Sequence, residues 1–228
     1  MSSYSPNPTA AAQPAVTVRR SRRRIGILAL LAIGTMINYL DRTVLGIAAP
    51  KLTAELGIDP AIMGILFSAF AWTYALAQIP GGMFLDRFGN KLTYALSIFF
   101  WSLFTLLQSF TLGLKSLLLL RLGLGVSEAP CFPANSRIVS TWFPQHERAR
   151  ATATYTVGEY IGLAAFSPLL FLILEHHGWR TLFFLTGGLG ILFTLVWWRF
   201  YHEPHESHTA NQAELEYIGA NSINNKIQ

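Results

Sequence analysis

Long apolar runs alternate with short polar segments along most of the chain. Stretches free of Asp, Glu, Lys and Arg cover residues 60–85, 92–114 and 181–198. Three further stretches, 25–49, 116–141 and 151–174, are of similar length but include a few charged residues. A helix needs about 20 mainly apolar residues to cross the hydrocarbon core of a bilayer. The pattern therefore predicts an all-α membrane protein with six transmembrane helices within residues 25–200.

The two ends of the chain differ from this pattern. Residues 1–24 begin with a stretch rich in Ser, Pro, Ala and Thr and end with five Arg between Arg19 and Arg24. Such a segment buries too little apolar surface to fold, so we expect a disordered basic tail. It is not the start of a signal peptide, because the apolar run that follows is longer than the roughly 7–15 residues of a signal peptide's apolar region. Residues 201–228 are polar and predict a segment outside the membrane.

The composition excludes several classes of protein. The 228 residues are 52% hydrophobic and 13% charged, whereas soluble domains have about 25% charged residues. A soluble domain and a nucleic-acid-binding module are therefore excluded. A β-barrel is excluded as well, because its strands would show alternating segments of about ten residues. Cys131 is the single cysteine, so no disulfide forms within the chain, and we expect no metal site or cofactor.

The basic residues predict the orientation in the membrane. Lys and Arg are enriched in short cytoplasmic loops. If the N-terminus lies in the cytoplasm, three of the 17 Lys and Arg residues lie on the outer side, at Lys51, Lys115 and Arg180, and two lie within the membrane. The other twelve share the cytoplasmic side: Arg19, Arg20, Arg22, Arg23, Arg24, Arg87, Lys91, Arg137, Arg148, Arg150, Arg199 and Lys226. Both ends of the chain are therefore expected in the cytoplasm.

Five ionisable residues are expected inside the membrane: Asp41, Arg42, Arg121, Glu128 and Glu159. Each costs about 2.5–3.5 kcal/mol at the centre of a membrane helix, so such residues face one another or water and mark functional sites. Arg121 and Glu128 are two turns apart on one helix, about 10 Å in rise, so each needs a partner elsewhere. The set is either a functional site or a group of ion pairs that hold the helices together.

The chemistry of these residues suits an anion site beside a proton carrier. Arg stays charged and its planar fork binds carboxylates through two hydrogen bonds. A buried carboxylic acid can hold a proton near working pH. We therefore expect an anion site in which Arg121 binds the anion, with Arg42 either assisting it or neutralising Asp41, and in which Glu128 carries the proton.

A loop between the second and third predicted helices has a distinct motif: Gly82, Asp86, Arg87, Gly89 and Lys91 in the pattern Gly-x-x-x-Asp-Arg-x-Gly-x-Lys. This motif resembles the loop signature of the major facilitator superfamily. The run Asn38-Tyr39-Leu40-Asp41-Arg42 and the spacing from Arg121 to Glu128 resemble its anion:cation symporter branch, which includes carriers of hexuronates, glucarate and galactonate.

The resemblance implies proton-coupled uptake of a sugar acid by alternating access, in a bacterial inner membrane. It assigns substrate binding to Arg42, Arg121, Tyr39, Tyr74 and Glu159 and proton coupling to Asp41 and Glu128. Glu159 departs from the galactonate-type pattern, where Gln is expected. The motif containing Asp86 is expected to brace the cytoplasmic gate rather than to bind substrate.

The resemblance covers a single six-helix half, from about Arg24 to Ile218, and residues 201–228 resemble the start of the central cytoplasmic loop. We therefore expect a fragment that needs a second half, with a self-associating homodimer as the alternative. A non-transporting sensor, an assembly protein or an inactive half-carrier also stays open. An intramembrane serine protease is excluded, because all six His lie in loops or the tail and no Gly-x-Ser-Gly occurs.

Overall fold

The computed structural model describes residues 20–207 and 209–219, and over these ranges its regular structure is helical. A single 3-10 turn covers Pro204–Glu206. The α-helices are α1 (Arg23–Leu56), α2 (Pro60–Gln108), α3 (Leu114–Glu128), α4 (Cys131–Trp142), α5 (Gln145–Phe200) and α6 (Gln212–Ile218). The predicted all-α architecture is confirmed, whereas most of the predicted tail and the last residues of the predicted loop lie outside the described residues.

Local sequence explains where the helices begin and end. The Asp59 side chain caps α2 by accepting a hydrogen bond from the Ala61 N–H at 2.8 Å, and Pro60 occupies the first position, where its missing N–H costs nothing. The helix predicted over 116–141 is interrupted between α3 and α4, at Ala129 and Pro130. Proline removes a backbone donor and ends a helical hydrogen-bond ladder.

Gly178 reverses the chain within α5. It has φ 79°, in the left-handed region that glycine adopts at little cost. Both ends of α5 lie beside the start of α1, and its middle lies near the end of α1. The contacts are Arg24–Glu147, Arg23–Phe200 and Lys51–Leu174. The segments before and after Gly178 therefore run in opposite directions.

Gly89 does the same within α2, with φ 75°. Phe70 precedes it and Phe104 follows it, yet both lie against α3 at nearly the same level, near Gly125 and Gly123. The two segments of α2 therefore form a helical hairpin, and both of them contact α3.

Four helical stretches are long and apolar enough to cross a membrane: Arg23–Leu56, Pro60–Gln108, Leu114–Trp142 and Gln145–Phe200. Many large apolar side chains on them point outward, among them Leu76, Ile79 and Leu195, which are 73%, 78% and 65% exposed. So large an exposed apolar surface marks a protein that contacts lipid or other apolar partners.

The cytoplasmic end predicted for α1 is held by α6. Helix α1 has no cap from its own sequence at Arg22 and no acidic residue in its first turn. The fully buried carboxylate of Glu214 on α6 replaces this cap, because it accepts hydrogen bonds from the backbone N–H of Arg23 and of Arg24, both at 3.2 Å. The Ser21 hydroxyl donates to the same carboxylate.

The opposite end of α1 is held at Glu55. Its carboxylate forms an ion pair with Arg180 and accepts a hydrogen bond from the Trp179 indole at 2.6 Å. Both partners follow the reversal at Gly178. Helix α1 is therefore fixed to α5 at this end and to α6 at the other.

Candidate functional site

A buried ion pair between α1 and α3 lies at the centre of the candidate site. Arg42 Nε and Nη2 both contact Glu128 Oε1. The Glu128 side chain is 1% exposed and that of Arg42 is 26% exposed. The spacing of Arg121 and Glu128 predicts that Glu128 has a partner elsewhere, and Arg42 is that partner. Removing one member of such a pair leaves an uncompensated buried charge, which costs about 3–5 kcal/mol.

Aromatic rings surround the Arg42 guanidinium. Its central carbon lies 4.8 Å from the ring centre of Tyr74, 5.3 Å from those of Tyr39 and Phe70, and 5.7 Å from that of Phe132. A cation over a ring face is attracted to the ring's quadrupole. Tyr39 and Tyr74, both predicted site residues, therefore lie beside the ion pair.

Asp41 points away from Arg42, although the two are adjacent in sequence. Asp41 is 1% exposed and its Oδ2 accepts a hydrogen bond from Trp101 Nε1 at 3.0 Å. Arg42 bonds Glu128 instead, so the alternative in which Arg42 neutralises Asp41 is wrong for this structure. Successive residues on a helix are about 100° apart, which is why neighbours in sequence reach different partners.

Arg121 lies one step deeper and keeps free donors. It is 2% exposed, and its Nε and Nη1 have no hydrogen-bond acceptor among the described residues. In the same part of the chain no carboxylate oxygen lies within 4.0 Å of its guanidinium. Its central carbon lies 5.5 Å from the ring centre of Phe70. A buried, charged guanidinium with unused donors is ready to bind an anion.

A small cavity connects the two arginines. It has a volume of about 100 Å³ and is lined by Arg42, Phe67, Phe70 and Arg121. A water occupies about 30 Å³ in the liquid, so the cavity has room for a group such as a carboxylate with one or two waters. The two cations and two aromatic rings that line this cavity suit an anionic group.

Gly125 lets α3 approach α2 closely enough to form this cavity. A Cβ atom at Gly125 would lie 2.6 Å from the carbonyl oxygen of Phe70 and 3.0 Å from the backbone nitrogen of Tyr74, and would overlap the Thr73 hydroxyl. Because two of these atoms belong to the backbone, a side chain here would push the helices apart.

Glu159 approaches the site from α5. Its side chain is buried, at 2% exposure. Its carboxyl lies near the Tyr39 hydroxyl and within electrostatic reach of Arg42. The structure thus brings together all seven residues predicted for substrate binding and proton coupling, around one cluster between α1, α2, α3 and α5. Among the described residues, no group of three His, Cys, Asp or Glu could hold a metal ion.

The predicted gating motif forms a separate site at the turn within α2. Asp86 is exposed and pairs with Arg137 of α4, whose Nη1 donates to Asp86 Oδ1 at 2.9 Å and to the Leu85 carbonyl at 3.2 Å. The motif's second glycine, Gly89, is the residue that reverses the chain. Lys91 follows the turn, with its Nζ 5.3 Å from the ring centre of Trp198.

Comparison of the sequence with profiles of protein families identifies the family. A profile of the Major Facilitator Superfamily matches residues 31–224. The chain belongs to the major facilitator superfamily. This confirms the predicted family, which is a family of transporters rather than of enzymes.

Curated relatives of this superfamily chain are carriers of sugar acids by name. The chain is 47% identical over 205 residues to the D-galactonate transporter of Escherichia coli O6:H1, covering 90% of the chain and 48% of the relative. It is 44% identical over 208 residues to the probable galactarate/D-glucarate transporter GudP of Escherichia coli K12, covering 89% and 46%. The chain therefore spans about half the length of these relatives.

Solved structures show the same helical arrangement. A bacterial homologue of the human lysosomal transporter Spinster, in an inward-facing, occupied conformation, matches 81% of this chain and 45% of its own with a TM-score of 0.71 and 27% identity. The inward-open xylose transporter XylE of E. coli matches with a TM-score of 0.69 at 16% identity, which supports the fold alone. The fold is thus that of about half of a major facilitator transporter.

Several residues of the candidate site and of the gating motif's surroundings were not predicted from the sequence, among them Trp101 and Arg137. Trp101 bonds Asp41 but belongs to an uncharged stretch that carries no signal beyond hydrophobicity. Arg137 was assigned only to the cytoplasmic charge, although it pairs with Asp86 of the motif. An arginine near a helix end is too common to indicate a specific partner.

Proposed function

We propose that this chain binds the substrate and the coupling proton in a proton-coupled symporter of sugar acids. The observation that carries the proposal is the buried guanidinium of Arg121. Its Nε and Nη1 have no acceptor among the described residues, and it lines a cavity together with Arg42. The names of the relatives, which are carriers of galactonate, galactarate and glucarate, support the substrate class. These compounds combine one or two carboxylates with several hydroxyl groups and fit a site made of arginines and tyrosines.

The Arg42–Glu128 pair supplies a mechanism for coupling. While Glu128 is charged, it occupies the fork of Arg42. A proton on Glu128 cancels this attraction, so Arg42 becomes free to join Arg121 on the substrate carboxylate. Loss of the proton restores the pair and expels the anion. Proton and substrate therefore bind together and leave together.

The topology belongs to the same proposal. At 1.5 Å per residue, the 49 residues of α2 and the 56 residues of α5 would span about 74 and 84 Å as straight helices. This is more than twice the hydrocarbon thickness of about 30 Å. The reversals at Gly89 and Gly178 support six crossings, within residues 23–56, 60–88, 90–108, 114–142, 145–177 and 179–200. In this arrangement both ends of the chain lie in the cytoplasm, and the helices lie in a bacterial inner membrane.

A second bundle completes the carrier in this proposal. Transporters of this type place the site between two repeats that rock against each other. The chain spans about half the length of its relatives, so the other wall of the cavity comes from a second six-helix half or from a second copy of this chain.

Uptake by proteoliposomes tests this function. The chain is joined to the second half of the E. coli D-galactonate transporter and reconstituted, with the intact relative as the positive control. We expect saturable uptake of labelled galactonate or glucarate that requires an acidic outer solution, and no uptake of the uncharged sugar galactose. A folded, membrane-inserted hybrid that takes up neither acid would contradict the proposed substrate class.

A further inference from the structure

The direct partner of the Asp41 carboxylate is an uncharged indole. Trp101 Nε1 donates to Asp41 Oδ2 at 3.0 Å, and Trp101 is fully buried. The other oxygen, Oδ1, has no hydrogen-bond partner among the described residues. The hydroxyl of Thr186 lies nearby but donates to the Leu182 carbonyl at 3.0 Å. The two carboxylate oxygens are therefore inequivalent.

The charges that face Asp41 come from α3. They are Arg121 and Glu128, which have opposite signs. Arg42, the next residue on α1, is bound to Glu128. The packed segments of α2 and α5 contribute the uncharged Trp101 and Thr186. Arg121 and Glu128 act on Asp41 at longer range and with opposite signs. The hydrogen bond from Trp101 is therefore the direct interaction that distinguishes charged from protonated Asp41.

An indole is a donor without an acceptor. It can stabilise the Asp41 carboxylate, but it cannot take up the proton that Asp41 carries. A hydroxyl or an imidazole at this position could do both. Trp101 therefore fixes Oδ2 as the accepting oxygen and leaves Oδ1 as the atom that gains and loses the proton.

Close backbone packing holds Trp101 in place. The next residue, Ser102, lies on the segment 90–108, which packs on the segment 179–200 through two glycines. A Cβ at Gly187 would lie 2.6 Å from the Ser102 carbonyl oxygen, and one at Gly190 would meet the Ser102 side chain. Helices this close have little freedom to slide, so the indole N–H keeps its position when the proton on Asp41 changes.

We propose that Trp101 is a positioning residue for proton exchange: its indole N–H holds Asp41 Oδ2, favours the charged carboxylate, and so sets the pH at which Oδ1 takes and releases its proton. In protonated Asp41, Oδ1 carries the proton and Oδ2 remains the carbonyl oxygen that accepts from the indole. On release, the proton leaves Oδ1 for water and the negative charge stays on the carboxylate beside Trp101. This inference rests on the proposed function for its role in transport.

Infrared titration of the full chain in lipid tests the inference. The C=O band of protonated Asp41 is assigned by its loss in Asp41→Asn. We expect Trp101→Phe to move the midpoint of this band to higher pH by about one to two units, because a hydrogen bond to a charged group is lost. Trp179→Phe is the matched control, since that indole also donates to a carboxylate, at Glu55, and should leave the Asp41 midpoint unchanged.

A second measurement does not depend on the variant folding. Incorporation of 5-fluorotryptophan keeps the shape of the indole and strengthens its N–H as a donor, so the Asp41 midpoint should move to lower pH. An unchanged midpoint in both the folded Trp101→Phe protein and the fluorinated protein would overturn the inference. If the Trp101→Phe protein does not fold, an unchanged midpoint in the fluorinated protein is enough to overturn the inference.

The outcome is separable from that of the proposed function. If the Asp41 midpoint shifts but uptake by the carrier does not depend on pH, the inference about Trp101 is supported and proton coupling is contradicted. An unshifted midpoint in a carrier that couples protons would contradict the inference alone.

Discussion

Replacement of Arg121 by Lys tests the anion site most sharply. Arg121 is buried and charged, and its Nε and Nη1 are without an acceptor in the described part of the chain. Lys keeps the positive charge but offers a single nitrogen on a flexible stem, so it cannot present two parallel donors to a carboxylate. The substitution therefore changes the shape of the donor while it preserves the charge.

The expected loss follows from one hydrogen bond. A planar guanidinium can donate two parallel hydrogen bonds to one carboxylate, and the ammonium group of a lysine at the same position can replace one of them. A hydrogen bond to a charged group contributes about 1.5–3 kcal/mol, and a factor of ten in affinity corresponds to about 1.4 kcal/mol. Arg121→Lys should therefore weaken the binding of a sugar acid by a factor between about 10 and about 150.

Counterflow exchange at fixed, equal pH on both sides measures this affinity without a proton gradient. Arg180→Lys is the matched control, because Arg180 already pairs with the Glu55 carboxylate at the other end of α1. It should leave the substrate affinity unchanged. If Arg121→Lys also retained near-normal affinity in a folded carrier, Arg121 would have a structural role and the anion site would have to be placed elsewhere.

Three further predictions concern packing, capping and pH. Gly125→Ala should lower the free energy of unfolding by about 1–3 kcal/mol through overlap with the backbone of α2, whereas Gly64→Ala, which faces open space, should be close to neutral in the same thermal melt. Glu214→Gln should cost about 1–2 kcal/mol in such a melt by weakening the cap on α1, and Glu216→Gln on the exposed side of α6 should not. Burial raises the pKa of the Glu203 carboxyl. The stability that protonated Glu203 contributes is therefore full below the ordinary pKa of Glu and is lost as the pH rises through the raised pKa. Glu203→Gln should flatten the curve of melting temperature against pH over this range, and an unchanged curve would contradict this assignment.

The hydrophobic pattern predicted the helical class, and the charges within it pointed to ionisable residues that the structure brings together. Apolar runs of about 20 residues have few structural solutions in a bilayer, and a charge inside such a run is too costly to face lipid. Asp41, Glu128 and Glu159 could therefore be assigned to a common polar region before any contact was known. Their burial between the helices follows from that constraint.

The pairing within the site could not be predicted in the same way. Arg42 and Glu128 are 86 positions apart, so their contact depends on how α1 and α3 cross rather than on local sequence. The adjacent pair Asp41 and Arg42 suggested a local interaction, yet the helix directs the two side chains to different neighbours. Trp101 reaches Asp41 because the chain reverses at Gly89, a turn whose consequence for packing has no local signal.

Proton movement during substrate uptake tests the central claim directly. The hybrid carrier is reconstituted into vesicles that contain a pH-sensitive dye, with equal pH on both sides, and galactonate or glucarate is added outside. We predict that the vesicle lumen becomes acidic as the anion enters. Glu128→Gln should abolish this acidification while exchange of substrate continues, and Glu55→Gln, which removes a carboxylate at the far end of α1, should not abolish it. Uptake of the anion without acidification, or acidification that persists in Glu128→Gln, would contradict coupling through the Arg42–Glu128 pair.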